Sequence, residues 1–259
     1  MKAKRIPIVA LGITLGVVGV ARGELTREDN VLLSFRGGIT PKALPRDAAA
    51  PVAVWVDSSV KATDGSDPPP QLREIVIAIN KDGKLFDRGL PTCEIRSIQP
   101  STRSAAERIC GGAIVGSGHV GVRIALEKEH PFDFNAPLLV FNAKARNGHR
   151  RILAQVYGSA PPSAFVLTFR VHRRPGTFGT VISTRLPQSA RDWAYITHFD
   201  MKLQRRYTYR GRQRSFISAS CAAPEGFPGT VYPFAEARYR FATGTVASMT
   251  LLRNCAVRK

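Results

Sequence analysis

"SFISASCAAPEGFPGTVYPFAEARYRFATG", residues 215–244, carries the reading that decides the fold. Ile217, Ala219 and Cys221 recur at every second position. That is the period of a strand, whose side chains alternate between two faces. A turn rich in Pro and Gly follows, and then "FAEARYRFA" alternates again. Ala235, Ala237, Tyr239 and Phe241 fall on one face, and Glu236, Arg238 and Arg240 on the other. In the last run of the chain Ala247, Met249, Leu251 and Cys255 share parity. Cys221 and Cys255 are therefore in register with apolar positions, where a bridge between strands at a core edge would lie. Such a bond is expected to pin the C-terminal strand to its sheet.

The same signature recurs outward from this stretch. "AYITHFDMKLQRRYTY" and "RQRSFISASC" flank Arg210-Gly211-Arg212 as a long hairpin. "VAVWVDSSV" alternates before "TDGSDPPP", whose prolines cannot sit in a central strand because they lack the ladder N–H. "LREIVIAINKDGKLFDRGL" offers two strand-like runs joined at Asn80-Lys81-Asp82-Gly83, which predicts a hairpin. "APLLVFNAKA", "RRILAQVYG", "SAFVLTFRVHR" and "GTVISTRL" continue the series. One short helix is expected in "IQPSTRSAAERIC", capped by Ser101 and Thr102, with Ala105, Ala106 and Ile109 on its inner side. The spacing predicts an all-β fold, an antiparallel β-sandwich with that helix near the first disulfide. Residues 51–259 are expected to be one domain. Residues 24–50 read as an N-terminal extension and linker, with "NVLLSF" a short strand before a Gly37-Gly38 turn.

The chain opens with Lys2, Lys4 and Arg5, then the uncharged apolar run Ile6–Val20, then Ala21-Arg22-Gly23. This is the order of a secretory signal peptide, residues 1–23, with cleavage before Glu24. The run is short for a membrane span, which needs about 20 apolar residues. An uncleaved anchor is the alternative. Export places Cys93, Cys110, Cys221 and Cys255 in an oxidising compartment, where thiols pair. Four cysteines allow three connectivities. Cys93–Cys110 with Cys221–Cys255 is expected because each pair brackets a compact stretch of chain. Each bond would stabilise the fold by roughly 3–4 kcal/mol in the loop-entropy estimate. No C-x-x-C or histidine spacing points to zinc.

At 44% apolar residues, 259 residues can bury a substantial core, which excludes global disorder. The net charge is +19, and removing Lys2, Lys4, Arg5 and Arg22 with residues 1–23 leaves +15. Such a surface attracts anionic polymers or headgroups in a salt-dependent way, or serves solubility alone. The charge is densest at "MKLQRRYTYRGRQR": Lys202, Arg205, Arg206, Arg210, Arg212 and Arg214, with Tyr207 and Tyr209 interleaved. These are the candidate anion-binding residues. For an exported chain the expected anions are cell-wall polymers or lipid headgroups rather than nucleic acid. A hairpin whose charges deter edge-to-edge pairing is the competing reading.

"DGSDPPPQLREIVIAIN", "RGLPTCEI", "CGGAIVGSG", "YRGRQRSFISASCAAPEGFPG" and the closing "LLRNCAVRK" together resemble a group of exported two-disulfide proteins of high-GC Gram-positive bacteria. The likeness spans residues 35–259. It implies an exported domain with disulfides at the same four cysteines, and it implies no activity, substrate or catalytic residue.

Chemistry-bearing patterns are sparse. Gly116-Ser117-Gly118-His119-Val120-Gly121 spells a dinucleotide fingerprint, but that site needs the glycines to open a helix. Here Val122, Ile124 and Leu126 alternate with Arg123, Ala125 and Glu127, so a strand is expected and no cofactor. Ser117 lacks the G-x-S-x-G elbow of a hydrolase nucleophile, since Val115 stands two residues before it. His172 or His198 with Asp192 or Asp200 is the set from which a hydrolase site would have to assemble. Glu127, Glu129 and Asp133, and likewise Asp57, Asp64 and Asp67, read as solvated turns rather than catalytic or calcium carboxylates. The expectation is an exported, non-enzymatic binding or structural module, secreted or held at the cell envelope. An envelope hydrolase is the alternative.

Overall fold

The computed structural model describes residues 24–159, 162–187, 192–224 and 229–258. The signal-peptide reading and residues 225–228 of the turn lie outside the described residues. In chain order the N-terminal strands are β1 (Glu24–Glu28), β2 (Val31–Thr40), β3 (Ala43–Leu44), β4 (Ala50–Pro51), β5 (Ala53–Ala62), β6 (Leu72–Asn80) and β7 (Gly83–Leu85). Helices α1 (Ile95–Ile98) and α2 (Arg103–Cys110) follow, and then β8 (Ile114–Ile124), β9 (Phe132–Arg146), β10 (His149–Ser159), β11 (Pro162–Arg173) and β12 (Phe178–Arg185). The C-terminal third adds β13 (Ala194–Leu203), β14 (Arg206–Tyr209), β15 (Arg212–Ser215), β16 (Ile217–Ala219), β17 (Thr230–Phe241) and β18 (Val246–Val257).

The chain is all-β, as the alternation predicts. Thirteen strands form one sheet in the order β1-β2-β5-β13-β8-β9-β10-β11-β12-β6-β17-β18-β3. Its pairs are antiparallel except the last, β18 with β3. Where a sandwich would have two separate walls, this sheet runs unbroken and curls on itself until its ends meet. The Glu24 carboxylate accepts from the Leu252 backbone N–H at 3.0 Å, and Thr245 donates to Asp29 at 2.7 Å. Across the interior the Tyr239 hydroxyl donates to Ser58 at 3.0 Å, and the ring meets Phe35 edge-on at 6.4 Å. Burial pushes the Tyr239 phenol far up, against a smaller lowering from Ser58. Ala235, Ala237, Tyr239 and Phe241 are all buried, and so are Ala247, Met249, Leu251 and Cys255. The period-two reading thus places the core correctly.

Residues 24–50 depart from the expectation of an extension and linker. β1 and β2 are strands of the large sheet, and Leu33 and Phe35 are fully buried. Gly37 and Gly38 continue β2 instead of turning it, because the ladder to β5 runs on through Gly37–Val56 and Gly38–Trp55. A second departure lies at Asn80-Lys81-Asp82-Gly83. β6 stays in the large sheet between β12 and β17, whereas β7 joins β16 and β4 in a small three-stranded sheet. The Asn80 side chain accepts from the Asp82 N–H at 2.9 Å and donates to the Pro233 carbonyl at 2.8 Å, making this a corner between sheets.

Both expected disulfides are formed, and among the described residues no cysteine is free. Cys221–Cys255 ties the segment after β16 to the last strand, so it joins the small sheet to the large one. Cys93–Cys110 clamps the two short helices onto the outside of β9 and β10. Thr102 caps α2 by accepting from the Ala105 N–H at 3.2 Å, while Ala106 and Cys110 face inward. Ile109, expected inward, is 62% exposed because the inward stripe is set by Ala106 and Cys110 four residues apart. Gln155, fully buried on β10, donates to the carbonyls of Ile98 and Ser101 at 2.9 Å each and fastens this helical cap.

Candidate functional site

At one end of the curled sheet β8 finishes at Ile124, β9 starts at Phe132, β13 starts at Ala194 and β6 starts at Leu72. Their inward side chains leave a cavity of about 510 Å³, bounded by Val122, Phe134, Ile196 and Phe165 and flanked by Trp193 and Leu126. That volume is in the range of small-molecule sites, roughly 300–1,000 Å³. Trp193 and Leu126 are 39% and 41% exposed, so two large apolar side chains stand at the mouth. Polar side chains enter the lining at Gln99, in the bend between α1 and α2, and at Ser163. Water in such a space finds few partners, and an apolar guest displaces it favourably. Each methylene so buried contributes about 0.8 kcal/mol.

Sequence reasoning missed this site. Phe132, Phe134 and Ile196 read as ordinary core positions, because alternation assigns a face but does not show where the face lacks a partner. The usable signal was the pair of large apolar residues, Leu126 and Trp193, just beyond the ends of β8 and β13.

Of the long hairpin expected around Arg210-Gly211-Arg212 only the tip forms, while β13 is drawn into the large sheet between β5 and β8 and β16 pairs with β4 and β7. In the tip β14 pairs with β15, with Arg210 and Gly211 both at positive φ in the turn. Its tyrosines are engaged inside the protein. The Tyr207 hydroxyl donates to the carbonyls of Phe86 and Arg88 at 3.1 and 3.0 Å. Burial, aided by Asp87, raises the Tyr207 pKa against the lowering from Arg214 and Arg150. Tyr209 lies edge-on to Phe86 at 6.2 Å. Arg210 covers the Tyr209 ring at 5.4 Å, and Arg214 covers Phe86 at 5.3 Å. Arg206, Arg210, Arg212 and Arg214 are exposed, as is Lys202 on β13, whereas Arg205 is half-buried with an unpartnered Nε.

The histidines and carboxylates fall into cross-strand rows on the outer face. Asp57 of β5 is directly opposite Asp200 of β13, which is opposite His119 of β8. His198 lies 3.3 Å from Asp57, Arg36 donates to Asp57 at 2.8 Å, and His119 lies 3.4 Å from Asp200. For Asp57 burial alone would raise the pKa, but the hydrogen bonds and charges of Arg36 and His198 outweigh it and hold the carboxyl below its ordinary value. Among the described residues no serine hydroxyl is hydrogen-bonded to either imidazole, and His172 and Asp192 pair with nothing. Asp64 accepts from the Ser66 N–H at 2.9 Å in a turn, and Asp67 and Asp133 flank Arg123. No group of three or more His, Cys, Asp or Glu among the described residues is placed to hold a metal. The Gly-x-Gly of residues 116–118 lies within β8, where a Cβ at Gly118 would overlap the Asp200 carbonyl of β13. Close backbone approach, not a phosphate, accounts for that glycine.

Comparison of the chain with protein-family models, with curated proteins and with solved structures finds no match in any of the three. Among the described residues no helix is long and apolar enough to cross a membrane. Two disulfides in one chain accord with an oxidising, extracellular compartment.

Proposed function

We propose that the protein is an exported, non-enzymatic binding module that takes an apolar small molecule, such as an acyl chain, into the cavity at the open end of its curled sheet. The observation that carries this reading is the cavity itself: about 510 Å³ with Gln99 and Ser163 as its polar lining side chains, and Trp193 and Leu126 half-exposed at its mouth. The resemblance to exported two-disulfide proteins supports the same location. Among the described residues the side chains of Gln99 and Ser163 have no hydrogen-bond partner, so they are available to a polar end of the guest. The outer-face pairs of histidine and aspartate serve the hydrolase alternative poorly, because neither imidazole meets a nucleophile.

The protein contains two tryptophans, Trp55 and Trp193, so Trp55→Phe leaves the one at the cavity mouth as the sole reporter. Titration with cis-parinaric acid should then quench Trp193 emission saturably by energy transfer. Ala194→Phe, which narrows the cavity, should weaken that binding at least tenfold while Tm stays within a few degrees. Unchanged emission, or equal binding by the narrowed variant, would remove the apolar-ligand reading.

A further inference from the structure

A second feature, independent of the cavity, lies on the outer face of the sheet beside the helical cap. Strand pairing sets Arg151 of β10 directly opposite Arg170 of β11, and Arg170 opposite Ser183 of β12. Arg146 and His149 close one end of this row at the turn between β9 and β10, and Arg185 closes the other. Together they line a groove of about 940 Å³ that Ile95 of α1 also borders. The carboxylate in it, Glu74, is held by Arg185 at 3.2 Å and Arg240 at 3.5 Å. Among the described residues Arg146 and Arg170 meet no carboxylate. Arg151 is oriented by donating its Nε–H to the Lys144 carbonyl at 2.9 Å, which leaves its other N–H groups for a guest.

Like charges directly opposite on neighbouring strands destabilise the pair. Charge on an edge strand can be explained as a guard against pairing with another chain. That explanation does not reach β10 and β11, since each is hydrogen-bonded to a neighbour on both sides. Solubility needs cations spread over the surface, not set face to face in a groove. An anion that bridges Arg151 and Arg170 turns the repulsion into two charge-assisted contacts, and a guanidinium fork matches the oxygens of a phosphate.

We propose that this groove binds a linear polyanion built of phosphodiester-linked polyol units. The cationic row crosses neighbouring strands, which recur every 4.7–4.9 Å. A chain carrying phosphates at short intervals can follow such a row, with Ile95 of α1 along its border. None of the groove's residues is a Phe, Tyr or Trp. Nucleic-acid strands are held largely by stacking on such rings, so a polymer without bases fits better.

The test uses the full disulfide-bonded protein and poly(glycerol phosphate) as probe, with affinity measured across a salt series. Arg151→Gln/Arg170→Gln should lower affinity at least tenfold, and should reduce the slope of log K against log salt by about 1.4, at roughly 0.7 per phosphate neutralised on a flexible strand. Arg210→Gln/Arg212→Gln removes the same charge from the hairpin and should bind within twofold of wild type. Ala194→Phe should also leave polymer binding intact, which separates this proposal from the cavity. Matching thermal midpoints establish that each variant is folded. Equal losses in the groove and hairpin variants would reduce the effect to net charge and overturn the proposal. So would tighter binding to an oligothymidylate or to phosphatidylglycerol vesicles than to the polymer.

Discussion

Two arginine-rich regions of this molecule differ in what their charges touch. On the hairpin β14–β15, arginines cluster in sequence, and several of their neighbours are used to hold the hairpin in place. Tyr207 is hydrogen-bonded to two carbonyls, Tyr209 packs on Phe86, and Arg210 and Arg214 lie over aromatic rings. On the outer face of β10–β12 the arginines come from separate stretches of chain, and two of them face each other with no acid between. The hairpin's tyrosines, Arg210 and Arg214 are engaged internally, whereas Arg146 and Arg170 of the groove meet no carboxylate among the described residues. Density of charge along a sequence is therefore a poor guide to where charge is available.

The contrast predicts that the hairpin is sensitive to structural substitution and the groove is not. Gly89 has φ +83°, and a Cβ there would overlap the Tyr209 ring. Gly89→Ala combines a left-handed conformation unfavourable to alanine with overpacking, a loss of about 2–4 kcal/mol. A chain of this size should lose roughly 5–15 °C in Tm by calorimetry. Arg146→Ala, on the exposed rim of the groove, should change stability by no more than about 0.5 kcal/mol. A reversed order would show that the hairpin is not docked through Tyr209.

Tyr207→Phe is the next largest effect. It leaves the Phe86 and Arg88 carbonyls without their donor and should cost about 1–2 kcal/mol at neutral pH. The pH dependence follows from the sign of the shift. The folded Tyr207 phenol ionises above its ordinary 10.0, so the unfolded chain gives up that proton first. Its stabilising contribution is present below pH 10 and is lost as pH rises above it. Tyr232, pushed up to about 12 by burial, and buried Tyr239 act in the same direction. The difference between wild-type and Tyr207→Phe unfolding free energies, followed by denaturant titration from pH 8 to 11, isolates Tyr207 and should shrink across that range.

The legible parts of the fold were those that a single strand decides for itself. Alternation at 235–241 and 247–255 identified core faces, because a pleated strand sorts its side chains locally. The cysteines paired as neighbours in sequence. What stayed hidden depends on partners distant in the chain. "NVLLSF" became core sheet only because β1 and β5 flank it on either side. Asn80-Lys81-Asp82-Gly83 carries hairpin chemistry, yet β6 finds β12 and β17 while β7 finds β16. Both candidate sites are of this second kind. The cavity needs the ends of β6, β8, β9 and β13 together, and the Arg151–Arg170 pair exists only through one register of β10 on β11.

That register yields the smallest predicted effect and the sharpest test of the comparison. If Arg151 and Arg170 repel across the strands, replacing one with a neutral residue of similar length should stabilise the protein. Cross-strand like-charge pairs cost a few tenths to about 1 kcal/mol, so Arg170→Gln should gain about 0.5 kcal/mol at 10–20 mM salt. Both side chains are solvent-facing, and the Debye length falls to about 3 Å at 1 M ionic strength, so the gain should vanish in concentrated sodium chloride. The matching change on the hairpin, Arg210→Gln, removes a guanidinium seated over the Tyr209 ring and should give a small loss instead. Opposite signs from two single-charge removals on one protein cannot arise from net charge, which both lower equally. A stabilisation common to both would mean that the overall +19 governs, and that the two regions do not differ in the way their contacts indicate.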